Sequence, residues 1–564
     1  MKSKLSKLLS VLLACIMCFS LAACGTANGG EEEQIDETRT QLYVFNFYGG
    51  YGSDWISSVK KRYEELHKDD VYEEGKKGVQ IYVNNQKSAA SEIANQILTN
   101  RDEVYFTEYA FYYTLKSLGV LGDITPAVTE DIGYGDAAGK TIESKLTDEQ
   151  KSYYGIEESG TPHYYAIPHY SGYSGLIYNV DLFNERGYYF IDNPGEVESI
   201  DEYFVRPGSS DKKSKGPDGI EKTYDDGLPA TYEEFLLLCR YIAEGGDTPI
   251  IWSGKNYKDY INNFMQSLVA DYEGLDQMML NYTTNGVATD LGTATSSGFV
   301  KDAQTTTINE SNGYELSRQA GKYYALDFIE TLVKTDSYHN KDGFNSSLTH
   351  MNAQENFLYA GHDGETKPIA MLCDGIWWQS EASPTFKEMV DAKDESYSKQ
   401  NRNFAFMPLP KANADKIGKT TLFDHMYSVC FMKANIADWK KDLAYDFIKF
   451  CNSDESLVEF TQITDTPKAL NYTMTEEQMN KMSPYGKSVI TLKQNSDIVY
   501  PYASTSLYKN NQSQFWTHNL YYSHFSGGEN QWCAEAFHEK NVSAEDYFNG
   551  LKTYYVAQWS KLNR

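Results

Sequence analysis

Two hydrophobic periods alternate at the start of the globular part of this chain, and this alternation constrains the fold more than any other feature. Apolar residues at strand spacing are followed by residues that recur on one stripe of a helix, and the pattern then repeats. The segments are strands at 42–47, 79–83 and 103–106, with helical stripes at 56–66 and 90–97 between them. This β-α-β-α-β order predicts a parallel sheet with helical crossovers.

The length of the chain predicts a second lobe. About 520 residues follow position 40, which is too many for one hydrophobic core. Strands are predicted within 166–180, 404–410 and 427–433, and helices begin at the Thr231 capping motif and near Ala444. Two stretches rich in Gly, Asp, Ser, Thr and Asn, at 192–227 and 281–312, are typical of surface insertions.

The first 39 residues are set apart by composition. Three lysines precede an apolar stretch at 8–21, and Leu21-Ala22-Ala23-Cys24 follows. This pattern resembles a bacterial lipoprotein signal, which implies a signal peptide at 1–23 and lipid attachment to Cys24, with two acyl chains holding the protein on a membrane. A plain secretion signal and a membrane span are the alternatives. Residues 24–39 are small, acidic and polar, and indicate a disordered tether.

Charge and cysteine content narrow the class of partner. Removal of the signal takes the formal net charge from -28 to -31, because three lysines are lost, and so nucleic acid is not an expected partner. The five cysteines after Cys24 contain no C-x-x-C pair, which favours packed thiols over disulfides or a zinc site. The 46 tyrosines suit a partner that is half apolar and half hydroxylated, such as a sugar, although they can also be surface aromatics.

Motifs for nucleotide, serine-nucleophile and zinc chemistry are absent from the sequence. It contains no G-x-x-x-x-G-K-[ST], no G-x-S-x-G and no complete H-E-x-x-H. A glycoside hydrolase or lyase stays open, because that chemistry needs only two carboxylates among 79 acidic residues. The aspartates of the first insertion (Asp211, Asp218, Asp225, Asp226) leave a structural calcium ion as a further alternative.

Six short stretches together resemble the extracellular solute-binding proteins of carbohydrate ABC importers, the maltose-binding-like group (family 1 type). They are YAIP at 165–168, GLIYNVDLF at 175–183 with Gly187 after it, LPATYEEF at 228–235, KPIAMLCDGIW at 367–377, MPLP at 407–410 and AYDFIKF at 444–450. The resemblance covers residues 42 to about 475, and fades in both insertions and in the last hundred residues.

This resemblance implies a two-lobed α/β fold of the periplasmic-binding-protein type (type II) with three hinge crossings. It implies an N-lobe from 40–122 plus 411–467 and a C-lobe from 123–410 plus 468–564. It also implies capture of a carbohydrate, in particular an oligosaccharide, between the lobes and its delivery to ABC permease subunits. The resemblance further implies a position on the outer face of the bacterial cytoplasmic membrane. No enzyme activity, metal or cofactor is implied, whereas a different solute such as a peptide, or presentation to a membrane sensor, stays open.

The family often places an aromatic residue that stacks under a sugar ring just after the strand that ends near Gly375. Trp377 and Trp378 occupy this place, and one of two adjacent tryptophans is expected in the core. The resemblance therefore favours Trp377 as the stacking residue, with Asp374 beside it as an acceptor for sugar hydroxyls.

The carboxyl ends of the first and third strands supply further candidates, because open α/β sheets bind ligands there. Tyr48 and Tyr51 lie in a glycine-rich turn after the first strand, and Glu108 and Tyr109 follow the third. Four other loop or strand-end aromatics complete the predicted ligand contacts: Tyr170, Tyr173, Trp252 and His425.

Overall fold

A computed structural model of the chain describes residues 34–515, 523–524, 530–540 and 542–563. The predicted signal peptide, Cys24 and residues 24–33 of the predicted tether lie outside the described residues. No helix within the described part of the chain is both long enough and apolar enough to span a bilayer.

Two mixed sheets form the centre of the molecule. Their strands are β1 (Thr40–Phe47), β2 (Val79–Gln86), β3 (Val104–Thr107), β4 (Ile167–Pro168), β5 (Ser174–Asn179), β6 (Thr248–Trp252), β7 (Ile369–Gly375), β8 (Phe404–Met407) and β9 (Val429–Met432). The first sheet has the strand order β2-β1-β3-β9-β4, with β1 parallel to β2 and β3 and with β9 antiparallel to its neighbours. The second has the order β8-β5-β7-β6, with β7 antiparallel to β5 and parallel to β6.

Helices cover both sheets. Among the described residues, those of eight or more residues are α1 (Asp54–Leu66), α2 (Tyr232–Glu244), α3 (Asp259–Thr283), α4 (Ala320–Lys334), α5 (His350–Tyr359), α6 (Ser383–Ala392), α7 (Lys441–Cys451), α8 (Asp454–Thr464), α9 (Pro484–Gln494), α10 (Cys533–Lys540) and α11 (Ala544–Trp559). Helices α1, α7 and α8 pack together on the first sheet, and α2, α3, α5 and α9 pack on the second.

The predicted β-α-β-α-β start is confirmed, with one difference in length. Helix α1 buries Ile56, Val59 and Tyr63 of the predicted stripe together with Trp55, whereas Leu66 at the end of the stripe is 57% exposed. The second crossover is α-helical only over Ala90–Ile93, and the chain continues in shorter turns such as the bond from the amide of Gln96 to the carbonyl of Ile93. Asn95, Thr99 and Asn100, which favour turns over helix, account for the early end.

The central strand of the second sheet is completely buried. Every residue of β7 is buried, as expected for a central strand covered by helices on both faces. Helix α2 begins where predicted: the Thr231 hydroxyl accepts a bond from the Glu234 amide at 3.2 Å, and Phe235, Leu238 and Ile242 are buried. The predicted two-lobed α/β architecture is therefore confirmed.

Strand β4 lies in the first sheet, whereas the predicted boundary at 122/123 placed it in the C-lobe. Its pairing with β9 keeps it with the N-lobe.

The second insertion (281–312) forms two antiparallel strand pairs, Gly286–Ala288 with Thr306–Ile308 and Gly292–Thr295 with Gly298–Lys301. The first insertion (192–227) is mostly irregular, with a short 3-10 helix at Ile200–Tyr203. The thiols predicted to be packed, Cys239, Cys373, Cys430, Cys451 and Cys533, are all buried and free.

Candidate functional site

Trp377 lies where the two lobes meet. It follows the carboxyl end of β7, and its indole packs against the turn after β1 at Gly50, so that a Cβ atom at Gly50 would lie 3.3 Å from Cβ and Cγ of Trp377. The ring also covers Gly375, where any side chain would collide with it, and a Cβ at Gly172 would lie 3.3 Å from its Cζ3. Glycines from both lobes therefore leave room for this one indole, which is 7% exposed.

Glu108 approaches the same place from the N-lobe. It follows β3, is buried, and accepts a hydrogen bond from the Tyr170 hydroxyl. Tyr51 packs edge-on against Tyr170, with ring centroids 4.3 Å apart, and its hydroxyl is buried without a hydrogen-bond partner among the described residues. The ends of β1 and β3 thus bring two of the predicted residues, Tyr51 and Glu108, together with Tyr170.

Asp374, Glu381, Gln354 and His350 form the C-lobe side. The Gln354 amide nitrogen donates to Asp374 Oδ2 at 3.1 Å and to Glu381 Oε2 at 2.8 Å, which joins α5 to the end of β7. Nε2 of His350 lies 3.4 Å from Glu381 Oε1. The other Asp374 oxygen accepts from the amide of Gly375. We call the region formed by Gly50, Glu108, Tyr170, Gln354, Asp374, Trp377 and Glu381 the interlobe site.

Burial and like charge act on the carboxyl groups of this site. Desolvation, and then the charge of Glu381, raise the pKa of Glu108 well above its ordinary value. The same two causes raise the pKa of Asp374 to about 8, against the hydrogen bonds from Gln354 and Gly375. Burial alone would lower the pKa of His350, but its bond to Glu381 and the charge of that group outweigh burial and raise it. Carboxyl groups from both lobes therefore share one poorly solvated region.

Asp374→Asn is expected to flatten the dependence of stability on pH. Between its ordinary pKa of 3.8 and the folded value of about 8, Asp374 is protonated in the folded state and ionised in the unfolded state, so stability falls as pH rises through this window. The slope from this one group is at most about 1.4 kcal/mol per pH unit. Denaturant unfolding across this range measures it. A free-energy difference between wild type and variant that stays constant with pH would contradict the shift.

Tyr48, Tyr109 and Tyr173 lie at the edge of this region. Tyr48 is half-buried after β1, with the Lys87 ammonium 5.3 Å from its ring centroid. Tyr109 is half-buried, with a positive φ of 48°, and Glu108, Asp259 and Glu381 all contribute to raising its pKa, although burial contributes most. Tyr173 is buried, and its backbone carbonyl accepts a hydrogen bond from the amide of Ile376, the residue before Trp377, at 2.9 Å.

Three predicted contacts lie elsewhere, in the packed interior. Trp378 is fully buried among Phe357, Phe386, Phe404 and Tyr485 in the C-lobe core. Trp252 donates from Nε1 to the carbonyl of Gly343 and packs on His339 and Phe344.

His425 is also buried, with Nε2 3.0 Å from the hydroxyl of Ser267. These contacts argue against the predicted ligand roles of Trp252, Trp378 and His425, because packing or a hydrogen bond from neighbouring elements already holds each side chain.

Four residues of the region were not predicted from sequence: Tyr260, His350, Gln354 and Glu381. Tyr260 stacks on His350 with centroids 5.7 Å apart, and its ring lies 6.4 Å from that of Trp377. His350 and Gln354 are one turn apart on α5, and Glu381 is one turn after Trp377. An i, i+4 pair of polar residues is common on exposed helix faces, so the sequence contains no signal that separates these from surface residues.

An open groove of about 1100 Å³ lies on the outside of the N-lobe, between α8 and residues 471–481. Its charged groups already pair with each other: Lys140 and Lys145 lie 2.8 and 2.6 Å from the Asp454 carboxylate. It contains none of the predicted residues, and the interlobe site is the better candidate because contacts from both lobes converge there.

No group of three or more His, Cys, Asp or Glu side chains within the described ranges is placed to hold a metal ion. In the first insertion, Asp225 and Asp226 accept hydrogen bonds from backbone amides of their own loop, those of Asp218 and Lys222.

The fold is shared with sugar-binding proteins of known structure. The cyclic α-maltosyl-1,6-maltose binding protein from Arthrobacter globiformis has a TM-score of 0.53 at 12% identity. Unliganded RafE from Streptococcus pneumoniae and the GacH receptor of Streptomyces glaucescens GLA.O each have a TM-score of 0.52 at 13% identity. Each comparison covers 93% of this chain and 100% of the other chain. No family model and no curated protein matches the sequence.

Proposed function

We propose that this chain, which has the two-lobed fold of these binding proteins, is an extracellular carbohydrate-binding protein of an ABC importer. It captures an oligosaccharide at the interlobe site and delivers it to permease subunits. The observation that carries the proposal is the convergence on Trp377 of the turn after β1, the end of β7 and the segment at Gly172.

In such a protein, ligand contacts from both lobes couple binding to closure of the lobes. A ligand that touches Glu108 on one lobe and Trp377 on the other favours the closed arrangement by the difference in its affinity for the closed and open states. Closure is then what a permease recognises. A ligand held by one lobe alone would leave this equilibrium unchanged.

The chemistry of the site suits a sugar. The face of the Trp377 indole matches the C–H face of a pyranose ring, and it leaves the hydroxyls on the rim free for hydrogen bonds. Glu108, Asp374 and Glu381 are acceptors for those hydroxyls, and bonds from them replace solvation that the carboxylates have lost. The unpartnered hydroxyl of Tyr51 is a further group for a ligand, directly or through water.

Attachment to the membrane is part of the proposal. The lipoprotein-like signal places a diacylated Cys24 at the start of the mature chain, and the acidic stretch to residue 39 then tethers the lobes to the outer face of the cytoplasmic membrane. The last residues of the predicted tether already contact the first sheet, since the Asp36 amide donates to Gln80 Oε1 at 2.9 Å and the Gln80 side-chain amide donates to the carbonyl of Gln34 at 3.0 Å.

Ligand panels in thermal unfolding are expected to identify one class of glycan that stabilises the protein. The chain from residue 25 onward contains every described residue. A ligand at 100 times its dissociation constant adds about 2.7 kcal/mol to the native state, enough to raise the midpoint by a few degrees. Oligosaccharides, monosaccharides and peptides form the panel, and product analysis accompanies it.

Each outcome of that panel decides between functions. A shift with one glycan class and no products supports a binding protein. Hydrolysed glycan in the mixture would replace the proposal with the glycoside hydrolase or lyase, and a shift with peptides alone would replace it with a peptide-binding protein.

A further inference from the structure

The interlobe site contains more carboxyl groups and more hydrogen-bond acceptors than a neutral sugar needs. Its carboxylates are Glu108, Asp374 and Glu381, and the first two are at least 95% buried. The Gln354 side chain is 0% exposed; its amide nitrogen is used by Asp374 and Glu381, and its Oε1 has no hydrogen-bond partner among the described residues. A fully buried acceptor among carboxylates points to a ligand that brings donors.

Few cations face these groups. His350 pairs with Glu381, and its Nδ1 is buried without a hydrogen-bond partner in the described part of the chain. The exposed Lys87 contributes a positive charge near His350, whereas Asp259 adds a further carboxylate near Tyr109. The salt bridges of the described residues give Glu108 and Asp374 no lysine or arginine partner.

The neutral hydroxyls of a sugar compensate the charge of an ionised buried carboxylate only in part. A buried carboxylate that is not paired with a cation is costly, and it takes up a proton instead, as the raised pKa values of Glu108 and Asp374 indicate. An ammonium group on the ligand would supply three donors and a positive charge in the same place. Charge-assisted bonds of this kind are about twice as strong as neutral ones.

We propose that the interlobe site selects an oligosaccharide that carries a protonated amine, which sits between Glu108 of the N-lobe and Asp374 and Glu381 of the C-lobe. The ammonium ion bridges the lobes, while Trp377 stacks on the neighbouring sugar ring. This inference rests on the proposed function, because it specifies the ligand class of the same site.

A matched pair of ligands tests it directly. The probes are the β-1,4-linked glucosamine tetrasaccharide and its fully N-acetylated form, which differ in charge at each amine, with maltotetraose as a neutral glucan. Titration calorimetry at about pH 6, where the glucosamine amine is protonated, is expected to give at least about tenfold tighter binding of the amine form. Repeating the titration in buffers of different ionisation enthalpy should show proton release with the amine ligand and none with its N-acetylated form.

Variants show whether the carboxylates cause the preference. Glu381→Gln is expected to reduce binding of the amine form about tenfold and to change binding of the N-acetylated form by less than about threefold. The control is Asp391→Asn, a surface carboxylate paired only with Lys387, which should leave both affinities unchanged. Asp374→Asn provides a second variant if Glu381→Gln fails to fold.

The outcomes separate this inference from the function on which it rests. Equal or tighter binding of the N-acetylated form or of maltotetraose, without proton release, overturns the amine selectivity and leaves carbohydrate binding intact. Failure of every saccharide in the wider panel overturns the proposed function itself.

Discussion

Trp378→Ala is expected to lower the free energy of unfolding by about 3–5 kcal/mol, the usual cost of removing a large aromatic side chain from a core. The ring is fully buried, and four aromatic rings surround it, with centroids 5.2 to 6.0 Å away. These rings come from α5, α6, β8 and α9, so the cavity would open at the centre of the C-lobe where no single element can move in to fill it. Denaturant unfolding monitored by circular dichroism measures the loss.

Trp377→Ala is the matched control for that measurement, because it removes the same side chain one residue earlier. Trp377 packs on glycine backbone at Gly50, Gly172 and Gly375, where the two lobes meet, and it keeps 7% exposure, whereas Trp378 is fully buried. Its loss is therefore expected to cost clearly less stability than Trp378→Ala. Equal destabilisation by the two variants would show that Trp377 is a core residue, and would remove the main support for the interlobe site.

The fold was largely predictable because it follows from local periodicity. The stripe on α1 and the buried run of β7 each specify an element and the face that it buries. The position of β4 was not predictable in this way. Ile167–Pro168 contributes only two residues to the first sheet, and its place there depends on antiparallel pairing with β9, more than 250 residues later in the chain.

The site was predictable only where strand ends determine position. Glu108 was expected from the carboxyl end of β3, and Asp374 from the family resemblance at the end of β7; both lie in the interlobe site. The same logic selected Trp252 at the end of β6, where the loop at Gly343 covers the indole. A strand end thus fixes where a residue lies, but not whether another loop covers it. Gln354 and Glu381 join through tertiary packing of α5 against the end of β7, which has no local signature.

Trp377→Ala is also expected to weaken binding of the best glycan of the panel by at least about 30-fold. An aromatic anchor in a desolvated contact typically contributes about 2 kcal/mol or more to binding, which corresponds to this factor. Trp377→Phe keeps a stacking face of smaller area and should lose less. Trp439→Ala removes a tryptophan that is 49% exposed on the N-lobe surface, and it should leave the affinity unchanged.

Calorimetric titration of the four proteins with the same glycan gives this ranking directly. The expected order of affinity places wild type level with Trp439→Ala, then Trp377→Phe, then Trp377→Ala. Since Trp377 contacts the turn after β1, the end of β7 and the segment at Gly172 together, its loss should also uncouple binding from closure of the lobes. Wild-type affinity in Trp377→Ala would mean that the glycan binds away from the junction of the lobes, and the outer groove beside α8 would then become the next site to test by mutation.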